Sequence, residues 1–266
     1  MAIDLEQAEN RAENRAENRG MSEGSMAGRV ALVTGAAGGI GAAVTRRLQQ
    51  DGVRVAALDL HRAPAADASA IADLRSATAI DAAVAELEAA LGPADVLVHC
   101  AAICPPGTLM DSADELFADT YAVNVIAAAR LMRHCAARMR ERGGGSIVLL
   151  TSINARFATP TLAAYASSKA ALEELARTAA LELAPWQIRV NAIAPASIDT
   201  AMLQSSFDRE PDPAMARERN IQRHPLGRLG TPQDIAELAW FLASDRSGWI
   251  TGGVFPVDGG AGVTRR

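Results

Sequence analysis

Cysteine is scarce: the chain has three in 266 residues, Cys100, Cys104 and Cys135, with no C-x-x-C pair. That excludes a disulfide-stapled secreted scaffold, and idle or buried thiols in a reducing cytoplasm are expected. Histidine occurs only at positions 61, 99, 134 and 224 without an H-E-x-x-H grouping, so no metal site is expected. Aromatic residues make up 4% of a chain that is 49% hydrophobic. The core must therefore come from Ala, Val, Leu and Ile, the usual filling of a parallel sheet covered by helices. No apolar run reaches the ~18 residues of a membrane span, and the N-terminus has no apolar signal segment. The net charge of −5 is spread over interspersed acids and bases, which argues against nucleic acid as a main partner.

What is present divides unevenly. Residues 8–19 read AENRAENRAENR, which stacks Glu9, Glu13 and Glu17, and likewise Arg11, Arg15 and Arg19, at i,i+4 spacing. Each like-charged pair costs a helix roughly a few tenths of a kcal/mol, and nothing apolar recurs to be buried. Residues 1–26 are thus expected to form a disordered tail, with the functional start at Met21 or Met26, ahead of one domain over 27–266.

From residue 29 onward two periodicities alternate. Apolar, β-branched runs at 29–34, 53–59, 94–102, 145–152, 187–195 and 253–260 read as strands, with a weaker one at 69–74. Helical patterns occupy 42–52, 77–92, a long stretch from 111 to 142, 161–184 and 232–243. A capping box between Ser112 and Glu115 is expected to open the long one. This alternation predicts the α/β class: a single doubly wound parallel sheet of about seven strands with helices on both faces. The polar, Pro-rich segment 199–225 reads as a lid.

Between the first strand and the first helix lies TGAAGGIG, residues 34–41. Gly35 permits a tight turn, Gly39 lets the backbone approach a pyrophosphate, and Gly41 lets helix and strand pack closely. The helix N-terminus would offer its free amides to phosphate. Asp59 ends the second strand, 18 residues past Gly41, where an acid hydrogen-bonds ribose hydroxyls and repels a 2′-phosphate. Farther on, YASSK sets Tyr165 and Lys169 one helical turn apart, on one face. In isolation such a pair is more often a surface lysine beside a half-buried tyrosine.

Taken together, these segments resemble the short-chain dehydrogenase/reductase family over about residues 28–262. The resemblance is carried by Thr34-Gly35-x-x-x-Gly39-x-Gly41, Asn124 in YAVNV, and Ser152 13 residues before Tyr165. It is carried equally by Tyr165-x-x-x-Lys169 and the stretches RVNAIAP, HPLGRLGTPQDIA and ITGGVFPVDGG. It implies a Rossmann-type fold and hydride transfer between a nicotinamide cofactor and a secondary alcohol or ketone. By resemblance, Tyr165 is the general acid/base and Ser152 hydrogen-bonds the reacting oxygen. Lys169 holds the nicotinamide ribose, and Asn124 helps hold a water that links Lys169 to solvent. A lysine ~4–6 Å from the phenol, at an effective dielectric near ~20, would favour phenolate by roughly 3–4 kcal/mol. The resemblance also implies cofactor contacts at Gly35, Gly38, Gly39, Ile40, Gly41, Asp59, Leu60, Asp73, Leu74, Cys100, Ala101, Pro195, Ile198 and Thr200, and a homotetramer with the Tyr165 helix at one interface.

Two departures stand out. His99-Cys100-Ala101-Ala102 replaces the family's Asn-Asn-Ala-Gly, and His99 is expected to pack at the strand end rather than to react. Pro195-Ala196 replaces Pro-Gly, which requires a backbone that tolerates Ala. NAD is the expected cofactor: position 38 is glycine, Leu60 follows Asp59, and only Arg62 lies nearby to greet a 2′-phosphate. The alternatives are an NADPH-dependent ketoreductase of the 3-oxoacyl type, or a cofactor-binding regulatory protein without chemistry. The second would be expected to lose Ser152, Tyr165 or Lys169, which this chain keeps. Candidate substrate contacts are Cys104, Pro105, Ile153, Asn154, Phe157, Ser197, Met202, Leu203 and Phe207, with Arg156 and Arg209 as the nearby charges. Their mostly apolar character favours a fairly neutral alcohol.

Overall fold

A computed structural model describes residues 26–264. The repeat-rich tail lies outside the described residues except for Met26, which is fully buried against the sheet. Seven strands form one sheet: β1 (Val30–Thr34), β2 (Arg54–Asp59), β3 (Ala68–Ile71), β4 (Val96–His99), β5 (Gly145–Leu150), β6 (Ile188–Pro195) and β7 (Val254–Val257). They pair in the order β3-β2-β1-β4-β5-β6-β7, every pair parallel. This is the doubly wound Rossmann-type α/β architecture that the alternation predicts.

Side chains alternate across the sheet because successive residues of a strand point to opposite faces. Val33, Val55, Val98, Val148 and Ile193 pack beneath α1 (Gly39–Gln50) and, later in the chain, the helix Pro232–Ala243. Leu32, Leu58, Leu97, Leu149 and Val190 face the helices Ala77–Leu91 (α2), Ala127–Glu141 (α4) and Ala163–Leu183 (α5). Burying each such side chain contributes about 1.5–3 kcal/mol, so both faces drive the sheet to form. Between α2 and α4, α3 (Asp114–Tyr121) runs into a π-helical turn, Ala122–Ile126, before α4 begins.

Several boundaries move for local reasons. The expected Ser112–Glu115 capping box does not form: Ala113 is the N-cap, without a side-chain bond, because the Ser112 hydroxyl donates to the Thr108 carbonyl at 2.6 Å. The strand expected over 94–102 stops at His99, since the Ala101 amide turns to donate to Thr34 Oγ1 at 3.1 Å. The segment after β6 forms α6 (Ala201–Phe207) and α7 (Pro213–Ile221), capped by Thr200 and Asp212. These two helices share a small cluster of Phe207, Ala216 and Leu229; the helix Pro232–Ala243 is then α8. Ala196 is not among the described residues with positive φ, so the Pro-Ala sequence carries no strain there. Among the described residues no helix is long and apolar enough to cross a membrane.

Candidate functional site

The strand order reverses between β1 and β4, and an open α/β sheet leaves its crevice at the carboxyl ends of such a pair. The glycine turn sits there. Gly35 holds φ +66°, and a Cβ on it would lie 2.8 Å from the Ala101 amide nitrogen, so the outgoing ends of β1 and β4 touch only because residue 35 has no side chain. At Gly41 a Cβ would stand 2.1 Å from the Gly35 carbonyl, which accounts for the close approach of helix and turn. Gly39 adopts φ +50°, and a Cβ on it would lie 3.2 Å from the methyl of Thr200, the cap of α6. Gly38 rather than Gly39 opens outward, since nothing lies within 4 Å of its would-be Cβ. Gly38 is also the N-cap of α1 and supplies no side-chain cap, so no side chain competes for the first-turn amides around Ile40.

Asp59 is tied to this turn in a way its position in the sequence did not reveal. Its Oδ2 accepts from the Ala37 amide at 2.9 Å and its Oδ1 from the His61 amide at 3.0 Å. A carboxylate has about four acceptor sites, so roughly two remain for a ligand. Leu60 beside it is 55% exposed. Asp73, past β3, is gripped by the Arg75 guanidinium at 2.7 Å, which holds its carboxyl below the usual range. Leu74 is buried in the core.

The second half of the site forms where β4, β5 and α5 converge. Thr34 Oγ1 meets the Ala101 amide and, at 2.9 Å, His99 Nδ1. His99 thus ties β4 to β1 in place of an asparagine, as the packing expectation required. It is wholly buried, and desolvation first and the Lys169 charge second drop its pKa to about 3. Cys100 and Ala101 follow at the crevice floor; burial pushes the Cys100 thiol up to about 12. Asn124, on the π turn, accepts from the Ile103 amide at 2.9 Å and donates to the Ile103 carbonyl and to Ser168 Oγ, both at 3.0 Å. Both its N–H groups are spent, which leaves only its oxygens to order a water. Ser168 passes the connection on by donating to the Tyr165 carbonyl at 2.7 Å.

Tyr165 and Lys169 share one face of α5, with the ammonium 5.7 Å from the ring centroid. Lys169 is 1% exposed and donates to the Leu150 carbonyl at 2.7 Å. Burial lowers its pKa to about 8. Burial also raises the Tyr165 phenol above its ordinary value, with the Ser152 hydroxyl pulling the other way. Burial is thus the leading influence on the phenol in the chain alone, opposite in direction to the pull expected of Lys169. Ser152 caps the turn Ile153–Ala155, accepting from the Asn154 amide at 3.1 Å. Pro195 ends β6, Ile198 is buried beside it, and Thr200 Oγ1 donates to the Ile198 carbonyl.

Of the expected substrate contacts, Phe207 turns inward to the cluster under α6 and α7, whereas Phe157 and Met202 stay nearly half exposed. Thr34, Ser168 and the Ala37 amide are the site groups that sequence reasoning left without a role. Only Thr34 carried a signal, as the first residue of the glycine motif.

Residues 35–262 match a family model described as enoyl-(acyl carrier protein) reductase. The chain is 36% identical over 250 residues to the 2,3-dihydro-2,3-dihydroxybenzoate dehydrogenase of Bacillus subtilis, covering 88% of this chain and 96% of that protein. It is 34% identical over 238 residues to the 3-oxoacyl-acyl-carrier-protein reductase MabA of Mycobacterium bovis, covering 88% and 93%. Among solved structures, the aldohexose dehydrogenase of Thermoplasma acidophilum in ligand-free form is similar at a TM-score of 0.82 and 30% identity, covering 89% and 94%.

Proposed function

The chain belongs to the short-chain dehydrogenase/reductase family, a family of oxidoreductases that use a nicotinamide cofactor, and on that premise we propose that it is an NAD-dependent enzyme interconverting a secondary alcohol and a ketone. The observation that carries this reading is that Tyr165 and Lys169 share one face of α5 with Ser152 at the phenol, while the glycine turn abuts Cys100 and Ala101 at the end of the neighbouring β4.

The chain's own groups fit the cofactor. Gly38 leaves its outer side open, the first-turn amides of α1 lack a side-chain cap, and Asp59 keeps acceptor capacity for two ribose hydroxyls. When bound, the oxidised nicotinamide supplies the hydride acceptor and a positive charge that offsets the push of burial on the phenol. Tyr165 takes the proton from the carbinol hydroxyl in oxidation and returns it in reduction. Ser152 hydrogen-bonds the same oxygen and holds it at the phenol. Lys169, with its pKa near 8, is cationic at neutral pH and stabilises phenolate character at Tyr165. We assign the nicotinamide-ribose contact to Lys169 as well, and to Asn124 an anchoring role that keeps α5 beside the end of β4.

Asp59, followed directly by Leu60, supports NAD over NADP, since a 2′-phosphate would meet a carboxylate already bound to the turn. The exposed Arg62 and the likeness to a 3-oxoacyl reductase motivate the alternative, an NADPH-dependent ketoreductase. We further assign α6 and α7 as the substrate lid, and a homotetrameric assembly in the reducing cytoplasm, in keeping with three free thiols. The deciding experiment is a panel of secondary alcohols, sugars and cyclitols, each offered with NAD and with NADP and followed by reduced-nicotinamide absorbance. NAD-linked oxidation of at least one is expected; strict NADP dependence would establish the alternative.

A further inference from the structure

Ser152 and Tyr165 reach the site on separate elements, and the segment joining them has little regular structure. Its far end is cinched to the loop after β4. There Gly107 donates to the Thr161 carbonyl at 2.8 Å, and Thr161 holds φ +65°, a strained value for a β-branched residue. Its near end is held by an ion pair that the proposed chemistry does not use. Glu173 lies on α5 one turn beyond Lys169 and is 3% exposed. Its Oε2 accepts from Arg156 Nε at 3.3 Å and stands 3.8 Å from Arg177. Arg177 is committed more closely to Glu174, at 2.8 Å, so Arg156 is the main partner. Glu173 Oε1 is buried with no hydrogen-bond partner among the described residues, so the carboxylate leans on its other oxygen.

A buried, half-satisfied carboxylate is a poor way to stabilise a helix; an apolar residue of similar size does as well or better. What the pair does supply is a fixed separation. Arg156 closes the Ser152 turn, its amide donating to the Ile153 carbonyl at 2.9 Å, while Glu173 belongs to the helix of Tyr165 and Lys169. We propose that Arg156 and Glu173 form a positioning pair that clamps the Ser152 turn to α5 and fixes the Ser152 hydroxyl at the Tyr165 phenol. This rests on the alcohol–ketone reading above. A misplacement of ~1 Å at a reacting group can cost up to about 10²-fold in rate, so a loosened clamp should register in kcat.

The test compares Glu173→Gln, Arg156→Ala and Arg156→Lys with the wild type, measuring kcat, substrate KM, NAD affinity by calorimetry and thermal unfolding. Glu173→Gln and Arg156→Ala should each lose roughly tenfold or more in kcat while NAD affinity stays within about twofold. Combining them should cost little more than either alone, because both break the same contact. Arg156→Lys, which keeps the charge, should recover most of the rate. If Glu173→Gln fails to fold, the contrast between Arg156→Ala and Arg156→Lys decides. A wild type that turns over beside folded variants with kcat within twofold of it, whatever their Tm, would overturn the clamp alone. A wild type that oxidises no alcohol with either cofactor would overturn the functional reading beneath it.

Discussion

Replacing His99 by Asn should flatten the acid limb of the protein's stability curve. The imidazole is wholly buried, bound through Nδ1 to Thr34, with Nε2 lacking a partner among the described residues. Burial, reinforced by the Lys169 charge, brings its pKa to about 3. In the unfolded chain the same group titrates near ~6.5. Between those values the unfolded chain takes up a proton that the native state refuses, so stability is lost as pH falls through the window. At ~1.4 kcal/mol per pH unit, the loss is about 2 kcal/mol at pH 5 and about 3 kcal/mol at pH 4. Asn at this position still reaches a hydrogen bond but does not titrate. Urea unfolding of both proteins from pH 7 to pH 4 gives the two curves, and their difference in slope is the quantity of interest. Carboxylates whose pKa values are lowered in the native state, among them Asp73, Asp199, Asp234 and Glu237, act alike in both proteins and cancel. Curves parallel within about 0.5 kcal/mol would show that His99 is protonated in the native state, and would refute the sealed, neutral imidazole.

Three further outcomes are expected. Asp59→Ala should cut NAD-linked kcat/KM by roughly tenfold to a hundredfold, the cost of about 1.5–3 kcal/mol for a lost charged hydrogen bond, and adding Leu60→Arg should turn the preference to NADP; steady-state kinetics with both cofactors reads this. Gly41→Ala forces a methyl to within 2.1 Å of the Gly35 carbonyl, so the turn must move; calorimetry should find NAD binding lost and stability lowered by about 1–3 kcal/mol. Met26→Ala removes a fully buried side chain and should cost about 2–5 kcal/mol in denaturant unfolding, whereas a chain starting at Met21 keeps that residue and should match the full length.

The strands and the glycine turn were legible because their signals are local. Val30–Thr34 and Ile147–Leu150 are apolar runs that only a sheet buried on both faces can use, and a glycine at 35, 39 and 41 is the cheapest way past the steric limits of the turn. Helical spacing put Tyr165 and Lys169 on one face but pointed to a surface lysine; only the resemblance, with Ser152 and Asn124, assigned the pair a role, and Lys169 is in fact buried. What stayed hidden depends on partners distant in sequence. The Ser112 hydroxyl could accept from an amide at the helix start or donate to the Thr108 carbonyl, and it is committed to Thr108. The Asp59 bond to the Ala37 amide spans 22 residues, and the Arg156–Glu173 pair joins a loop to a helix whose packing no periodicity encodes. The π turn at Asn124 looks in sequence like any other stretch of helix, and the raised phenol reflects burial, which charge spacing alone does not report.

The proposed chemistry turns on proton transfer by Tyr165. It is tested most directly by measuring alcohol-dependent NADH formation and NAD affinity on matched samples of the wild type and Tyr165→Phe. The phenylalanine removes one oxygen and leaves the ring, so turnover should fall by roughly 10²–10⁴-fold while NAD affinity stays within about threefold. A Tyr165→Phe enzyme that keeps a substantial part of wild-type turnover would contradict the account.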